Sequence, residues 1–93
     1  MTGGPQRQPP GSDEPVSDDL RIAFGKNLRE ARIRAGLTQA QVAERTGLTQ
    51  QYVSQIEAGR QNLTPATMTA LARVTGHDLR VLLQRARRRS RPR

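Results

Sequence analysis

Three glutamines and a serine lie close together between residues 50 and 55 of the chain. At about 100° of rotation per residue, a helix over 50 to 58 would have a polar, uncharged half and a mainly apolar half. The polar half holds Gln50, Gln51, Ser54, Gln55 and Ala58. The other half holds Tyr52, Val53, Ile56 and Glu57. A glutamine amide offers a donor and an acceptor together, which matches N6 and N7 of adenine in a major groove. The pattern therefore predicts a helix that touches base edges.

The alternative for this polar half is a solvated helix surface with no recognition role. Exposed helix surfaces usually favour Glu and Lys, which are soluble and strong helix formers. A set of glutamines gains nothing comparable in water, and the absence of acidic residues from this half avoids repulsion of phosphates. From these residues alone, both the solvated surface and the recognition of nucleic acid stay open.

The residues needed for catalysis are not grouped in this sequence. A catalytic site would need a nucleophile beside a base, paired carboxylates or a metal cluster, and the 8 acidic residues and single histidine are scattered. The chain has no cysteine, which excludes disulfides and thiol nucleophiles and is typical of a reducing compartment. His77 has no second histidine to share a metal ion. We expect no enzyme activity, no cofactor and no metal site.

Charge gives the clearest compositional signal. The chain has 16 Lys and Arg against 8 Asp and Glu, a net charge of +8, and its pI of about 11.7 is typical of nucleic-acid-binding proteins. No apolar run approaches the roughly 18 residues that span a bilayer. We therefore expect a cytoplasmic protein with no membrane association.

The six arginines of residues 85 to 93 form a basic tail. Phosphate contact, RNA binding, an acidic protein partner and simple solvation all fit this tail.

A chain of 93 residues holds one small domain. The Gly- and Pro-rich segment 1 to 17 has no apolar periodicity and is expected to be disordered. The folded domain is expected over 18 to 84. Within it, four glycines stand where a left-handed residue would end a helix. They are Gly36, Gly47, Gly59 and Gly76.

Residues suited to begin a helix follow these glycines. Thr38, Thr49 and Asp78 each come two positions after a glycine, and Thr64 precedes Pro65. This alternation of helix-ending glycines and helix-starting residues predicts five helices, at 18 to 35, 39 to 46, 50 to 58, 65 to 75 and 79 to 86. No segment alternates with the period of a strand, so the predicted fold class is all-α, a compact five-helix domain.

Apolar residues of the first predicted helix fall on one face at helical spacing. They are Leu20, Phe24, Leu28, Ala31 and Ala35. Ile22 and Ile33 lie on the far side of that helix. We therefore expect a second surface, either the last helix or a partner chain, to cover them.

Over residues 24 to 83 the sequence resembles the lambda-repressor-like helix-turn-helix family, also called Xre or Cro/cI-like. The resemblance is carried by FGKNLREARIRAGLTQAQVAERTGLTQQYVSQIEAGR, residues 24 to 60, and TPATMTALARVTGHDLRVLL, residues 64 to 83. It implies a DNA-binding domain whose helix near Gln39 crosses the DNA backbone. A recognition helix, at about 49 to 58, would enter the major groove.

Carried onto this sequence, the resemblance implies specific roles for single residues. The base-reading positions fall on Gln50, Gln51 and Gln55. The phosphate-contacting positions fall on Gln39, Thr49, Arg60 and Asn62. Arg32 and Glu57 would form a partly buried structural ion pair.

The predicted function is sequence-specific binding of double-stranded DNA by a transcriptional regulator. A single small domain offers only about 600 to 1,000 Å² of contact, so a homodimer is expected. Leu79, Leu82 and Leu83 are the candidate dimer residues. Two alternatives stay open: an antitoxin that also binds a toxin protein, and an adaptor that binds protein or RNA without sequence preference.

Overall fold

The computed structural model of the chain describes residues 14–77, 79–80 and 82–83. Four helices are defined within these ranges: α1 (Asp18–Arg34), α2 (Gln39–Thr46), α3 (Gln50–Glu57) and α4 (Pro65–Val74). No strand occurs in the same ranges, so this part of the chain is all-α, as predicted. Three helices end one residue before the predicted position, because Ala35, Ala58 and Thr75 are C-cap residues.

The two ends of the predicted domain are described in part. Residues 79–80 and 82–83 are helical, whereas the rest of the predicted fifth helix and the Arg-rich tail, 85 to 93, lie outside the described residues. So do residues 1 to 13 of the segment that was expected to be disordered. The backbone N–H of Val16 donates to the carbonyl of Leu63 at 2.8 Å, and Ser17 caps α1. Hydrogen bonds thus hold Val16 and Ser17 in place immediately before the predicted domain start at residue 18, where α1 begins.

Side-chain caps begin the helices of the central region. Thr38 and Gln41 form a capping box, in which Gln41 N–H donates to Thr38 Oγ1 at 3.0 Å and Thr38 N–H donates to Gln41 Oε1 at 2.9 Å. Thr49 and Thr64 cap α3 and α4 through their hydroxyl oxygens. These three caps confirm the start positions predicted from the sequence, while Asp78 lies outside the described residues.

A left-handed glycine directly follows each of the first four predicted helices. The four glycines named above have φ values of 74°, 76°, 75° and 81° in chain order, a region that residues with a Cβ rarely adopt. At Gly47 this conformation turns the chain from α2 into α3 within a few residues. A tight turn at Gly47 therefore connects α2 and α3.

All four helices contribute to the hydrophobic core, in which α3 packs on α1 and α2, and α4 packs on α2. Twelve buried apolar side chains form one cluster: Phe24, Leu28, Ala31, Val42, Ala43, Val53, Ile56, Leu63, Met68, Leu71, Ala72 and Leu82. Leu20 packs against this cluster, as the periodicity of α1 predicts. Ala35 is exposed, because α1 has already ended there, so its predicted place in the core is wrong.

Two apolar side chains of α1 remain at the surface. Ile22 is 43% exposed and Ile33 is 52% exposed, so the surface that was expected to cover them is not found among the described residues. In the described part of the chain, no helix is both long enough and apolar enough to cross a membrane.

Candidate nucleic-acid interface

The two halves predicted for α3 are separated in the structure. Val53 and Ile56 are fully buried in the core, whereas Gln50, Gln51 and Ser54 are exposed. Gln55, also on the outer half, is half-buried. The helix is thus fixed by its inner half, and its outer half is free to meet a ligand.

The N-terminus of α2 lies beside this outer half of α3. Gln39, the first residue of α2, lines a shallow surface depression together with the polar side chains of α3. The full lining is Gln39, Gln50, Gln51, Ser54 and Gln55. We call these five residues the amide surface. None of them carries a charge, so the surface offers donors and acceptors without repelling an anionic partner.

An ion pair between α1 and α3 supports the amide surface from behind. Arg32 Nε donates to Glu57 Oε2 at 2.6 Å, and Arg32 Nη2 donates to Glu57 Oε1 at 3.0 Å. The side chains are 12% and 3% exposed, respectively. Arg32 Nη1 also donates to the carbonyl of Leu37 at 2.9 Å. This two-bond geometry fixes the inner side of α3 against α1 and the loop that follows it.

Gln39 is connected directly to the same carboxylate. Its Nε2 donates to Glu57 Oε1 at 3.0 Å, which holds the side chain across the junction of α2 and α3. One N–H of the amide and its carbonyl oxygen are not used in this bond. The position at a helix N-terminus also favours an anion, because free backbone N–H groups point outward there.

The loop after α3 carries the other two residues implied to contact phosphate. Arg60 and Asn62 are both exposed, and both lie within a few residues of the end of α3. Arg21 of α1 donates from Nη1 to the carbonyl of Gly59, which ties the start of this loop to the domain. The loop therefore begins from a fixed point and presents a cation beside the amide surface.

Thr49 has a role within the fold in addition to its implied role in binding. Its hydroxyl oxygen accepts from the N–H of Tyr52 at 3.0 Å, and the residue is exposed. The cap fixes the first turn of α3, which carries Gln50 and Gln51. The positions of the Gln50 and Gln51 amides therefore depend on the cap that Thr49 provides.

The three candidate dimer leucines do not share one environment. Leu82 is fully buried in the core of the single chain, so its predicted place on a dimer surface is wrong, since it is already covered by the chain itself. Leu79 and Leu83 are half-buried and pack against the same core. Leu79 and Leu83 therefore keep part of their surface accessible to a partner chain.

Sequence reasoning missed several residues that position the surface. Gly25 lies against the backbone of Ile56 and Glu57, and Asn27 is buried, with Nδ2 donating to the carbonyl of Leu82 at 3.1 Å. A glycine inside an otherwise helical pattern is a signal for close packing, and an asparagine beside a core stripe is a signal for a buried polar contact. Gln61, which donates to Gln55, had no such signal.

Residues able to hold a metal ion are not grouped in the part of the chain that the structure describes. No cluster of three or more His, Asp or Glu side chains occurs there. His77 has Nδ1 at 3.0 Å from the carbonyl oxygen of Thr75, which is a local contact within the turn after α4.

Two helices joined by a left-handed glycine, with an uncharged polar face on the second, have the arrangement of a helix-turn-helix domain. The family model described as Helix-turn-helix (HTH_3) matches residues 28–82. Because this match covers more than half of the chain, the protein belongs to this family, the Xre or lambda-repressor-like one.

Named relatives and solved structures agree with this assignment. The chain is 43% identical over 58 residues to the uncharacterized HTH-type transcriptional regulator y4dJ of Sinorhizobium fredii, covering 62% of this chain and 75% of that protein. The restriction-modification controller protein C.AhdI of Aeromonas hydrophila is 35% identical, with a TM-score of 0.64, covering 71% of this chain and 98% of that one. The clp gene regulator ClgR of Corynebacterium glutamicum is 27% identical with a TM-score of 0.73, covering 76% of each chain. The protein is a DNA-binding transcriptional regulator.

Proposed function

We propose that α3 enters the major groove of double-stranded DNA and reads its sequence through Gln50, Gln51 and Gln55. The observation that carries this proposal is the amide surface, where three glutamines of α3 and Gln39 of α2 face the same side. The acidic residue of α3, Glu57, is buried and paired with Arg32 on the inner side of the helix. No carboxylate therefore opposes the approach of phosphates along this helix.

Contacts to the DNA backbone come from the margins of the same surface. Gln39 and Thr49 stand at the N-termini of α2 and α3, where backbone N–H groups and the helix dipole favour phosphate. Arg60 and Asn62 reach the flanking backbone from the loop after α3. These contacts fix the orientation of the domain on the duplex, while the glutamines supply the sequence preference.

The protein acts on DNA as a homodimer in this proposal. One small domain offers about 600 to 1,000 Å² of contact, which is too little for the affinity of a specific regulator. Leu79 and Leu83 are the dimer candidates that remain once Leu82 is assigned to the core. Two copies would place their recognition helices on half-sites about 34 to 36 Å apart. The dimer binds its operator and regulates by occupancy rather than by catalysis.

A selection of bound duplexes from a random DNA pool tests the proposal. A short palindromic consensus is expected for the wild-type protein. Gln50→Ala and Gln51→Ala should each weaken the consensus site by about 1 to 3 kcal/mol, with a smaller effect on random DNA. Gln41→Ala is the matched control, because it removes a glutamine amide that serves the capping box of α2, and it should leave the base preference unchanged.

Other outcomes would support different functions. Equal losses on consensus and random DNA for the two α3 variants would show that these glutamines do not read sequence. Binding with no sequence preference would favour the adaptor that binds protein or RNA. Copurification of a second small protein together with a palindromic footprint would favour an antitoxin.

A further inference from the structure

Gln55 and Gln61 are joined by a hydrogen bond at the edge of the amide surface. Nε2 of Gln61 donates to Oε1 of Gln55 at 2.7 Å, and both side chains are half-buried. Gln50 and Gln51 are exposed and show no such side-chain bond in the described part of the chain. Gln55 is therefore the member of the three whose amide is held by a neighbour.

The backbone of the loop holds Gln61 in reach of Gln55. The N–H of Arg60 donates to the carbonyl of Gln55 at 2.9 Å, and Gly59 adopts a left-handed φ of 75°. Leu63, two residues after Gln61, is 1% exposed and belongs to the core. Gln61 thus lies between two anchored positions, and its contact with Gln55 follows from the path of the chain.

Holding one end of a glutamine amide limits what the other end can present. The terminal torsion of glutamine has two broad, roughly equivalent orientations, which exchange the carbonyl oxygen and the NH₂ group. In the orientation seen here, Oε1 of Gln55 faces Gln61. The NH₂ group is consequently on the side away from Gln61, and neither of its N–H donors has a partner among the residues that the structure describes.

We propose that Gln61 is a positioning residue that sets the base preference of Gln55. By holding Oε1, it makes Gln55 present N–H donors to the groove, so the contacted base must offer an acceptor. On the contacted strand, guanine offers the acceptors O6 and N7, adenine offers N7, and thymine offers O4 in the major groove. Cytosine on that strand offers only its N4 donor. The inference rests on the proposed function, since it requires α3 to lie in the major groove.

Binding of the full-length chain to a set of four duplexes tests this role. The duplexes carry the selected consensus and differ only in the base pair at the position where Gln55→Ala relaxes the wild-type preference. Each duplex is named by the base on the contacted strand. The wild-type protein should bind the cytosine duplex about tenfold more weakly than the others. Gln61→Met, which has similar length and no hydrogen-bonding amide, should remove most of this discrimination.

Gln61→Glu provides a sharper test, because it reverses the polarity of the contact. A carboxylate only accepts hydrogen bonds, so it should draw the NH₂ group of Gln55 toward itself and turn Oε1 to the groove. Cytosine should then bind as well as or better than guanine, a change of about tenfold or more in their ratio. Asn62→Asp is the charge-matched control. It should weaken binding to all four duplexes equally, because phosphate repulsion does not depend on the base.

The failures of the two proposals are distinguishable. If Gln55→Ala changes the preference at one position but Gln61→Met and Gln61→Glu retain the wild-type order of bases, the positioning role of Gln61 is wrong and base reading by Gln55 stands. If Gln55→Ala changes no position, base reading by Gln55 is wrong and the role of Gln61 is rejected with it. Thermal unfolding of each variant, followed by circular dichroism, verifies that the comparison is made between folded proteins.

Discussion

Gly25 of α1 lies directly against the backbone of Ile56 near the end of α3. A Cβ at position 25 would overlap the carbonyl oxygen of Ile56, and it would lie 3.1 Å from the carbonyl oxygen of Glu57. The obstacle is backbone, which cannot move aside as the end of a flexible side chain can. The absence of a side chain at one position of α1 therefore sets how closely the recognition helix approaches the rest of the domain.

Replacement of Gly25 by alanine should destabilise the protein. Gly→Ala in a helix interior normally stabilises by about 0.5 to 1 kcal/mol, but here the added methyl forces α1 and α3 apart. Overpacking of this kind typically costs about 1 to 3 kcal/mol, so a net loss is expected. Urea unfolding measures the effect, with Lys26→Ala as the control at the neighbouring exposed position. A Gly25→Ala protein that equals or exceeds the wild type in stability would show that the two helices separate freely.

The Arg32–Glu57 pair should be a strong determinant of stability. Removal of one partner from a buried pair costs about 3 to 5 kcal/mol, because the remaining charge is left without compensation. We expect Glu57→Ala to lose an amount near the lower end, since Arg32 keeps 12% of its side chain exposed. Arg32→Met combined with Glu57→Leu should recover part of the loss. Thermal unfolding is the measurement, and unfolding of Glu57→Ala at the wild-type temperature would contradict a structural role.

Much of the fold could be predicted because local signals and tertiary structure agree. The left-handed glycines and the threonine caps mark the helix boundaries through short-range backbone requirements that hold in almost any context. The inner and outer halves of α3 follow from helical periodicity. For these features the sequence contains the physical reason, and the structure places them where the pattern predicts.

The remaining features depend on distances that a linear pattern does not contain. Leu79 and Leu82 are the same residue type in the same segment, yet Leu82 is buried and Leu79 is half-buried. Tertiary packing, which the sequence does not state, distinguishes the two leucines. Gln61 is likewise a polar loop residue in the sequence, and its contact with Gln55 arises from the path of the loop after Gly59.

Asn27 should control how firmly the segment containing Leu82 is attached to the domain. Its side chain is fully buried and Nδ2 donates to the carbonyl of Leu82. Asn27→Leu should leave that carbonyl without this donor, at a cost of about 1 to 3 kcal/mol. Hydrogen exchange should show the greatest loss of protection in α1 and in the residues around Leu82. Unchanged protection there would mean that the apolar contacts of Leu82 alone attach the segment.

Arg60 should contribute to DNA affinity through charge and not through sequence preference. Each phosphate neutralised on a duplex adds about 0.9 to the slope of log affinity against log salt concentration. Arg60→Ala is therefore expected to reduce this slope by about one while leaving the selected consensus unchanged. Arg73→Ala is the matched control, because Arg73 is an exposed arginine of α4 with no assigned contact to DNA. Deletion of residues 85 to 93 in the same titration measures the tail, and a further fall in the slope would show that its arginines contact phosphate. An unchanged slope for Arg60→Ala, together with an altered consensus, would instead place Arg60 against a base edge.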